Sequence, residues 1–314
     1  MKIYLGEMFH PDAVEWLKQH ADVVHDFDQI EELDAILIRA GGVTAEQIQQ
    51  AKKLKVIGRH GVGYETVNIQ AAKEKGVRVL NVPRGNAHSV AEYIVALFLE
   101  MSHRLYEANV RIRRDEFHSI APSAMQGRDL TGKNVGMIGM GNISRMAAEM
   151  LKSAFQTNVY GYDPFIDAEK AAKRGFEKVE AIEELLELSD FVSINVHLND
   201  STRNLIHGEM FDHFRPNAIL VNTARGGIVN EKDLYQALKE GKLAGAACDV
   251  FAEEPRYTGN PLFELENFSA TPHLGGNTVD AIRRTSMSLV QGTVRLLDGA
   301  EQAELAELGV GVVC

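Results

Sequence analysis

Short apolar runs alternate with amphipathic stretches along almost the whole chain, and this alternation restricts the fold more than any other feature. Strands that alternate with helices are typical of α/β units on a parallel sheet. The strands predicted in the first third are KIYL (2–5), DAILI (34–38), KVIG (55–58) and RVLN (78–81). The sequence therefore predicts an α/β protein.

A second alternation begins after a polar break at residues 121–132. Its predicted strands are NVGMIG (134–139), NVYGY (158–162), FVSIN (191–195), AILVN (218–222), AGAACDV (244–250) and FSATPH (268–273). A chain of 314 residues with 45% apolar content can bury a sizeable core, and this length favours two domains.

Composition excludes several classes of partner. The formal charge is −11, and the only basic block is RIRR (111–114), so we expect neither nucleic acid nor an anionic membrane as main partner. The apolar runs are too short for a membrane span, and the N-terminus lacks a secretory pattern, so we expect a cytoplasmic protein. Cys248 and Cys314 lack metal-ligand spacing, so no metal site is expected.

One segment is unusually long for a globular helix. The stretch SVAEYIVALFLEMSHRLYEANVRIRR, which starts at Ser89, is predicted to be helical for about 25 residues. It is therefore a candidate connector between domains or a dimer element.

The stretch VGMIGMGNIS (135–144) has the context of a dinucleotide loop. A predicted strand leads into Gly139 and Gly141, and a predicted helix starts at Asn142. Free N–H groups at a helix start bind pyrophosphate, so Asn142 and Ile143 are also expected to contact the cofactor. Ser144 occupies the third glycine position of the fingerprint, and we expect it to loosen helix–strand packing slightly.

Asp163 ends the next predicted strand, in the motif YGYDPF (160–165). A carboxylate there can accept both ribose hydroxyls and would repel a 2′-phosphate, which favours NAD over NADP. A glycine pair alone would equally fit a tight turn with an incidental aspartate. Strand, helix and acid together favour the cofactor site.

Three further loops follow predicted strands of the second half. NTARGG carries Thr223 and Arg225, CDVFAEEP carries Asp249, Glu253 and Glu254, and TPHLGG carries His273. Each alone has an ordinary structural explanation, such as a surface charge or a solvated loop. Ligands bind at the carboxyl ends of strands in open sheets, so three such ends beside a nucleotide loop favour a reactive site.

These motifs together resemble the D-isomer-specific 2-hydroxyacid dehydrogenases over essentially the whole chain. The matching stretches are GRHGVG (58–63), NVPRGNAHSVAE (81–92), the glycine loop with YDP, NTARGGIVNEKDL (222–234), AGAACDVFAEEP (244–255) and TPHLGG (271–276). The resemblance implies that Arg225, Glu254 and His273 act together on a 2-keto or 2-hydroxy acid. It also implies that amides near Val62 and Gly63 hold the substrate carboxylate.

General chemistry agrees with the roles that the resemblance implies. A carboxylate beside an imidazole orients it and favours its protonated form, which suits Glu254 and His273 to keto-acid reduction. Arg225 can make forked hydrogen bonds to the carboxylate and carbonyl oxygens of a substrate. Thr223 and Asp249 are expected near the cofactor, although Asp249 could instead support its loop.

The resemblance further implies a discontinuous layout. Residues 1–100 and 277–314 would form a flavodoxin-like substrate domain, and residues 101–276 an inserted Rossmann NAD-binding domain, with the substrate cleft between them. A homodimer through the NAD-binding domain and the long helix is expected. Gln156 departs from the family, since relatives often have glycine after that helix.

The substrate is the least determined feature. Arg39 aligns roughly with an arginine that contacts the phosphate in phosphoglycerate dehydrogenases, and a surface role is equally compatible. The expected order is a hydroxypyruvate-type acid, phosphorylated or not, then glyoxylate, then a branched acid. A formate dehydrogenase is disfavoured because Glu254 stands where such relatives have glutamine. A non-catalytic NAD sensor is the alternative of another class.

Little sequence follows the last motif, so no C-terminal regulatory domain is expected.

Overall fold

The computed structural model describes all residues 1–314, which form two compact units. Unit 1 comprises Met1–Ser89 and Gly276–Cys314, and unit 2 comprises Val90–Gly275. Each unit contains its own sheet with helices around it, so the α/β prediction is confirmed.

Unit 1 contains a sheet of six strands, which are β1 (Lys2–Leu5), β2 (Asp22–Val24), β3 (Ala35–Ile38), β4 (Val56–Arg59), β5 (Arg78–Asn81) and β13 (Gly311–Val312). Their order in the sheet is β13-β5-β4-β3-β1-β2. All pairs are parallel except β13 with β5. The order 2-1-3-4-5 of the parallel strands is that of flavodoxin-like folds.

The helices of unit 1 come from both the N-terminal part of the chain and the C-terminal segment that returns to this unit. They are α1 (Pro11–Lys18), α2 (Ala45–Gln50), α3 (Ile69–Lys75), α10 (Val279–Leu297) and α11 (Gln302–Glu307), with a 3-10 turn at Ile30–Glu32. Helix α10 packs on β4 beside α1, and a Cβ atom at Gly58 of β4 would lie 2.4 Å from Leu37 and 3.1 Å from Leu289 of α10, so a larger residue would not fit there. The returning segment is thus part of this core.

Unit 2 contains a sheet of seven strands, which are β6 (Asn134–Ile138), β7 (Asn158–Tyr162), β8 (Glu177–Lys178), β9 (Phe191–Ile194), β10 (Ile219–Asn222), β11 (Gly245–Cys248) and β12 (Phe268–Ala270). Their order in the sheet is β12-β11-β10-β9-β6-β7-β8. Every pair is parallel. The order reverses between β6 and β9, and this switch point is where doubly wound sheets bind dinucleotides.

The helices of unit 2 lie on both faces of this sheet, as two buried clusters show. They are α4 (Ala87–His103), α5 (Leu105–Arg113), α6 (Asn142–Phe155), α7 (Ala168–Lys173), α8 (Ile182–Leu188) and α9 (Glu231–Glu240), with 3-10 turns at Ser123–Met125, Gly208–His213 and Pro261–Glu264. No helix of the protein combines the length and the apolar character that a membrane span requires.

The packing of helix α4 shows why the chain changes from unit 1 to unit 2 near Ser89. The sequence predicts this boundary at residue 100, whereas the first stretch of unit 1 ends at Ser89 and unit 2 begins at Val90. Ile94 and Phe98 of α4 are fully buried in a cluster with Phe191 of β9, and the Phe98 and Phe191 rings meet edge to face. Helix α4 therefore packs as a helix of unit 2.

The prediction of a single long helix from Ser89 is wrong. The structure breaks it at Arg104, whose φ of 55° is left-handed, so α4 and α5 are separate helices. The Arg104 guanidinium donates two hydrogen bonds of 2.7 Å to Glu107 in the first turn of α5. This local ion pair stabilises a break that hydrophobic periodicity does not reveal.

Helix α6 ends at Gln156 in a conformation that favours glycine. Gln156 has a φ of 53°, and its N–H donates to the carbonyl of Lys152. A side chain in this left-handed region costs about 1–2 kcal/mol. The departure from the family at this position therefore has a stability cost.

The variant Gln156→Gly should raise the free energy of unfolding by about 0.5–1 kcal/mol. It removes the left-handed strain, and the greater freedom of glycine in the unfolded chain offsets about 0.4–1 kcal/mol of that gain. Urea unfolding measures the difference. In the interior of the same helix, the exposed Glu149→Gly should instead lower stability by about 1 kcal/mol. A destabilised Gln156→Gly protein would contradict the strain at this cap.

Candidate active site

Three neighbouring strands of unit 2 end in the loops that the sequence analysis singled out. Strand β10 ends at Asn222, β11 at Cys248 and β12 at Ala270, and the three strands are adjacent and parallel. The carboxyl ends of adjacent parallel strands lie at one edge of the sheet. The loops that carry Arg225, Glu254 and His273 therefore leave the same edge.

His273 and Glu254 form a direct pair at this edge. The Nδ1 atom of His273 lies 2.8 Å from Oε2 of Glu254, and Oε1 of Glu254 accepts a 2.8 Å hydrogen bond from the Phe251 N–H. The carboxylate thus fixes the ring through Nδ1. Nε2 is left as the nitrogen that can exchange a proton with a ligand.

The interaction within this pair changes the pKa of Glu254. Partial burial alone would raise the pKa of Glu254, but the hydrogen bonds from His273 and from the Phe251 N–H outweigh it. The positive charges of His273 and Arg225 act in the same direction, so the pKa of Glu254 lies below its ordinary value. The carboxylate is therefore ionised at neutral pH and can stabilise an imidazolium.

Arg225 is brought next to the Glu254 loop by a close backbone approach. A Cβ atom at Gly226 would lie 1.9 Å from the carbonyl carbon and oxygen of Phe251, so only glycine fits there. Asn222, the last residue of β10, holds the same loop through two hydrogen bonds of 3.1 Å. Its side-chain oxygen accepts from the Ala224 N–H, and its side-chain NH₂ group donates to the Arg225 carbonyl. The guanidinium is thereby placed where its charge acts on Glu254.

Asp249 organises the loop that carries His273. Its buried carboxylate accepts hydrogen bonds from the Thr271 hydroxyl at 2.6 Å, the Leu274 N–H at 2.7 Å and the Gly275 N–H at 2.8 Å. Burial raises the pKa of Asp249, and these hydrogen bonds oppose the rise. Every hydrogen bond of this carboxylate supports the loop, which was one of its two predicted roles. Its contact with the cofactor stays a prediction.

The glycine loop lies at the switch point of the same sheet. Gly139 has a φ of 91°, and a Cβ atom there would lie 2.6 Å from the Asn195 carbonyl oxygen, so this position requires glycine. A Cβ atom at Gly141, which caps α6, would meet nothing within 4 Å. The space in front of Gly141 and the free first-turn amides of α6, including those of Asn142 and Ile143, fit a pyrophosphate.

Ser144 is accommodated better than expected. Its hydroxyl is fully buried and donates a 2.6 Å hydrogen bond to the Gly139 carbonyl. This bond ties the start of α6 to the loop, so the geometry gives no sign of the expected loosening. A serine at the third glycine position is compatible with close packing here.

Asp163 lies beside the glycine loop at the end of β7. Its Oδ2 accepts from the Met140 N–H at 3.1 Å and its Oδ1 from the Phe165 N–H at 3.0 Å. The carboxylate is only half-buried and keeps lone pairs for ribose hydroxyls. This position agrees with the predicted ribose contact.

Thr223 provides an independent sign of a ligand. Its hydroxyl oxygen is buried and has no hydrogen-bond partner in the protein. Buried hydroxyls normally have a partner, so an orphan beside the candidate site suggests that a bound molecule supplies one. The loop, Asp163 and Thr223 together fit a dinucleotide.

The predicted substrate residues belong to unit 1. The guanidinium of Arg39 donates to the Met8 carbonyl at 2.8 Å and to the Asn277 side chain at 2.7 Å, and partial burial lowers its pKa. The N–H groups of Val62 and Gly63 donate to no acceptor in the protein. Arg39 thus has a structural role of its own, while the two amides are available to a ligand.

Sequence reasoning missed two residues that hold these loops. Asn222 shapes the Arg225 loop, and Glu231 accepts hydrogen bonds of 2.7 Å from the Ala252 N–H and the Asn260 side chain. Their signal was present, since Asn222 opens NTARGG and Glu231 starts α9. Only the fold shows that they face the loops.

The fold and the site define a dinucleotide-binding protein with a histidine–carboxylate pair, and comparisons identify the family. Residues 95–275 match the D-isomer specific 2-hydroxyacid dehydrogenase, NAD binding domain. The chain belongs to this family, and NAD is the cofactor of the matched domain. The site residues stay predictions from geometry and resemblance.

The names of similar proteins agree with this family assignment. The chain is 38% identical to a D-3-phosphoglycerate dehydrogenase of Methanocaldococcus jannaschii, over 98% of this chain and 59% of that protein. It is 36% identical to a hydroxypyruvate reductase of Thermotoga maritima, over 90% and 91%. The NAD-complexed D-isomer specific 2-hydroxyacid dehydrogenase of Lactobacillus delbrueckii has a TM-score of 0.80 at 25% identity, over 96% and 98%. The chain thus spans little more than half of the phosphoglycerate dehydrogenases that it matches.

The variant His273→Ala should raise the pKa of Glu254, because burial then acts with less opposition. A lowered carboxyl pKa stabilises the folded state above the unfolded value of about 4.3, and this stability is lost as pH falls through the folded pKa. The variant should therefore lose less stability between about pH 5 and pH 3. A ¹³C NMR titration of the Glu254 carboxyl measures the shift directly.

His213→Ala is the matched control. The His213 ring pairs with Glu187 at the surface, with Nδ1 2.7 Å from Oε1, so its loss should leave Glu254 unchanged. If His273→Ala and His213→Ala gave the same Glu254 titration, the pairing of His273 with Glu254 in solution would be refuted.

Proposed function

We propose that this protein is an NAD-dependent D-2-hydroxyacid dehydrogenase that interconverts a 2-keto acid and a D-2-hydroxy acid. The observation that carries the proposal is the 2.8 Å pair of His273 and Glu254, with the charge of Arg225 acting on the same carboxylate. A proton donor, its orienting carboxylate and a cation are what the reduction of a keto acid requires.

His273 is proposed to exchange the proton. Because Nδ1 is held by Glu254, the Nε2–H of the imidazolium donates to the carbonyl oxygen of the keto acid. In the oxidation direction the neutral ring takes the proton of the hydroxyl group through the same nitrogen. Glu254 stays ionised in both directions, so it stabilises the imidazolium without receiving the proton.

Arg225 is proposed to orient the substrate. A guanidinium presents parallel N–H groups, which suit the carboxylate and carbonyl oxygens of a 2-keto acid. When bound, NAD would supply the hydride for reduction or accept it in oxidation. The amides of Val62 and Gly63, which have no acceptor in the protein, are proposed to hold the substrate carboxylate.

The substrate that we propose is a hydroxypyruvate-type acid, with or without a phosphate group. The names of the relatives support this class, since one is a phosphoglycerate dehydrogenase and another a hydroxypyruvate reductase. Glyoxylate is the next candidate. The NAD-sensing alternative is disfavoured because a sensor needs no paired histidine and glutamate, and a formate dehydrogenase is disfavoured because Glu254 is not glutamine.

Turnover by NADH with hydroxypyruvate, 3-phosphohydroxypyruvate and glyoxylate tests the proposal through absorbance at 340 nm. His273→Gln should lower kcat about 10²- to 10⁴-fold, since general acid catalysis contributes this much. NADH binding, followed by fluorescence, should be nearly unchanged. A protein that binds NADH and reduces none of the acids would support the sensor instead.

Arg39→Ala separates phosphorylated from unphosphorylated substrates. If Arg39 contacts a substrate phosphate, the KM for 3-phosphohydroxypyruvate should rise about tenfold or more, while the KM for glyoxylate should change little. Loss of the bonds to Met8 and Asn277 would affect both substrates alike. Equal effects on both KM values would therefore rule out the phosphate contact.

We also propose a homodimer formed through unit 2. Helix α5 and the segment after it expose large apolar side chains, namely those of Leu105, Tyr106, Ile112 and Ile120. Clusters of exposed apolar residues are typical of protein–protein interfaces. A second copy of the chain is the partner that the family resemblance implies.

Ile112→Asp should convert this dimer to a monomer in sedimentation velocity, because a buried unpaired carboxylate in an interface is strongly unfavourable. Ile112 is 65% exposed, so the monomer itself should keep its fold. Ala172→Asp on the exposed face of α7 is the charge control, since it adds the same single negative charge. A wild-type monomer, or a dimer unaffected by Ile112→Asp, would refute this interface.

A further inference from the structure

Unit 1 contains a cavity lined by three arginines that the proposed reaction does not use. Its volume is about 410 Å³, and Arg84, Arg283 and Arg284 line it. No aspartate or glutamate is among the lining residues, although the chain as a whole carries a formal charge of −11. Asp12 forms an ion pair with Arg283, whereas Arg284 contacts neutral groups and the Arg84 side chain has no partner, so the cavity keeps an excess of positive charge that an anion would compensate.

Two of the arginines are held in place by the protein. Nε of Arg283 donates a 2.6 Å hydrogen bond to Asp12, and Nε and Nη2 of Arg284 donate to the Gly85 carbonyl and the Ser89 hydroxyl, both at 3.3 Å. Each guanidinium therefore has further N–H groups that these contacts do not use. Their positions are fixed before any ligand binds, which reduces the entropy cost of binding.

Arg84 differs from its neighbours. Its side chain is exposed and has no hydrogen-bond or ion-pair partner in the protein, and it directly precedes Gly85, which accepts from Arg284. A free guanidinium is thus next to a fixed one. Two such groups can bind two oxyanion groups, or both sides of one.

The remaining walls suit a small organic anion. The Ser288 hydroxyl and the Gln291 amide supply neutral polar groups, and Val82, Met287 and Leu308 supply apolar surface. The volume lies within the range of small-molecule sites, about 300–1,000 Å³. A single inorganic ion would leave most of this cavity unused.

We propose that this cavity binds a small polyanion through phosphate or carboxylate oxygens, with Arg84, Arg283 and Arg284 as its cationic ligands. The site is independent of the proposed reaction. Because Arg284 also holds Gly85 and Ser89, the residues through which the chain leaves unit 1, a bound anion would stabilise this segment.

Isothermal titration calorimetry of the full chain saturated with NAD tests the site with two probes at low ionic strength, because NAD then occupies the glycine loop, which would itself accept pyrophosphate. Inorganic pyrophosphate presents phosphate oxygens and citrate presents carboxylate oxygens, so the tighter probe identifies the oxyanion of the ligand. Arg84→Gln should weaken its binding about tenfold or more, since one charge-assisted contact is lost. The fold should be unaffected, because the Arg84 side chain is exposed and bonds to nothing in the protein.

Two controls make the result specific. Arg78→Gln removes another exposed guanidinium of unit 1 outside the cavity, and Arg39→Gln removes the candidate substrate arginine. Neither should change the affinity by more than about twofold. Three outcomes would overturn the proposal: no binding of either probe, equal weakening by Arg78→Gln and Arg84→Gln, or weakening by Arg39→Gln alone.

Discussion

The buried carboxylate of Asp249 is the interaction on which the candidate site depends. It accepts three hydrogen bonds from the loop after β12, and its backbone carbonyl accepts a fourth from the His273 N–H at 2.8 Å. His273 has a φ of 58°, a conformation that a residue other than glycine keeps only when its surroundings impose it. The Asp249 carboxylate therefore sets the path of the loop, and the Asp249 carbonyl holds the backbone of His273, at the cost of burying a carboxyl group.

The other two loops are positioned by contact with each other. Gly226 allows the Arg225 loop to touch the backbone of Phe251, and Glu231 fixes the next residue, Ala252. These contacts join the loops after β10 and β11, so the guanidinium and the carboxylate are held in loops that leave neighbouring, paired strands. Sites built in this way keep their geometry without a ligand, which is what electrostatic stabilisation of a reaction requires.

The sequence was sufficient for the elements with strong patterns. The bounds of β1, β5 and β7 agree with the predicted strands residue for residue. The short edge strands β2, β8 and β13 were missed, since two or three residues carry too little periodicity.

The candidate site likewise has features that local sequence patterns predict and features that only tertiary contacts determine. The loops at the strand ends were found from motifs, and their meeting at one edge follows from parallel topology. The break at Arg104 depends on an ion pair with Glu107, the hydrogen bond of Ser144 depends on where Gly139 places its carbonyl, and the arginine cavity joins segments about 200 residues apart. Local patterns cannot predict such contacts.

Unit 2 is one uninterrupted stretch of chain, and its two ends adjoin. A Cβ atom at Gly275 would lie 3.8 Å from Cγ1 of Val90, so the first and last residues of the unit are neighbours. An insertion with adjoining ends disturbs its host little, since it replaces one short connection. The nucleotide-binding half is therefore a portable module, which could be excised or exchanged between members of the family at these two junctions.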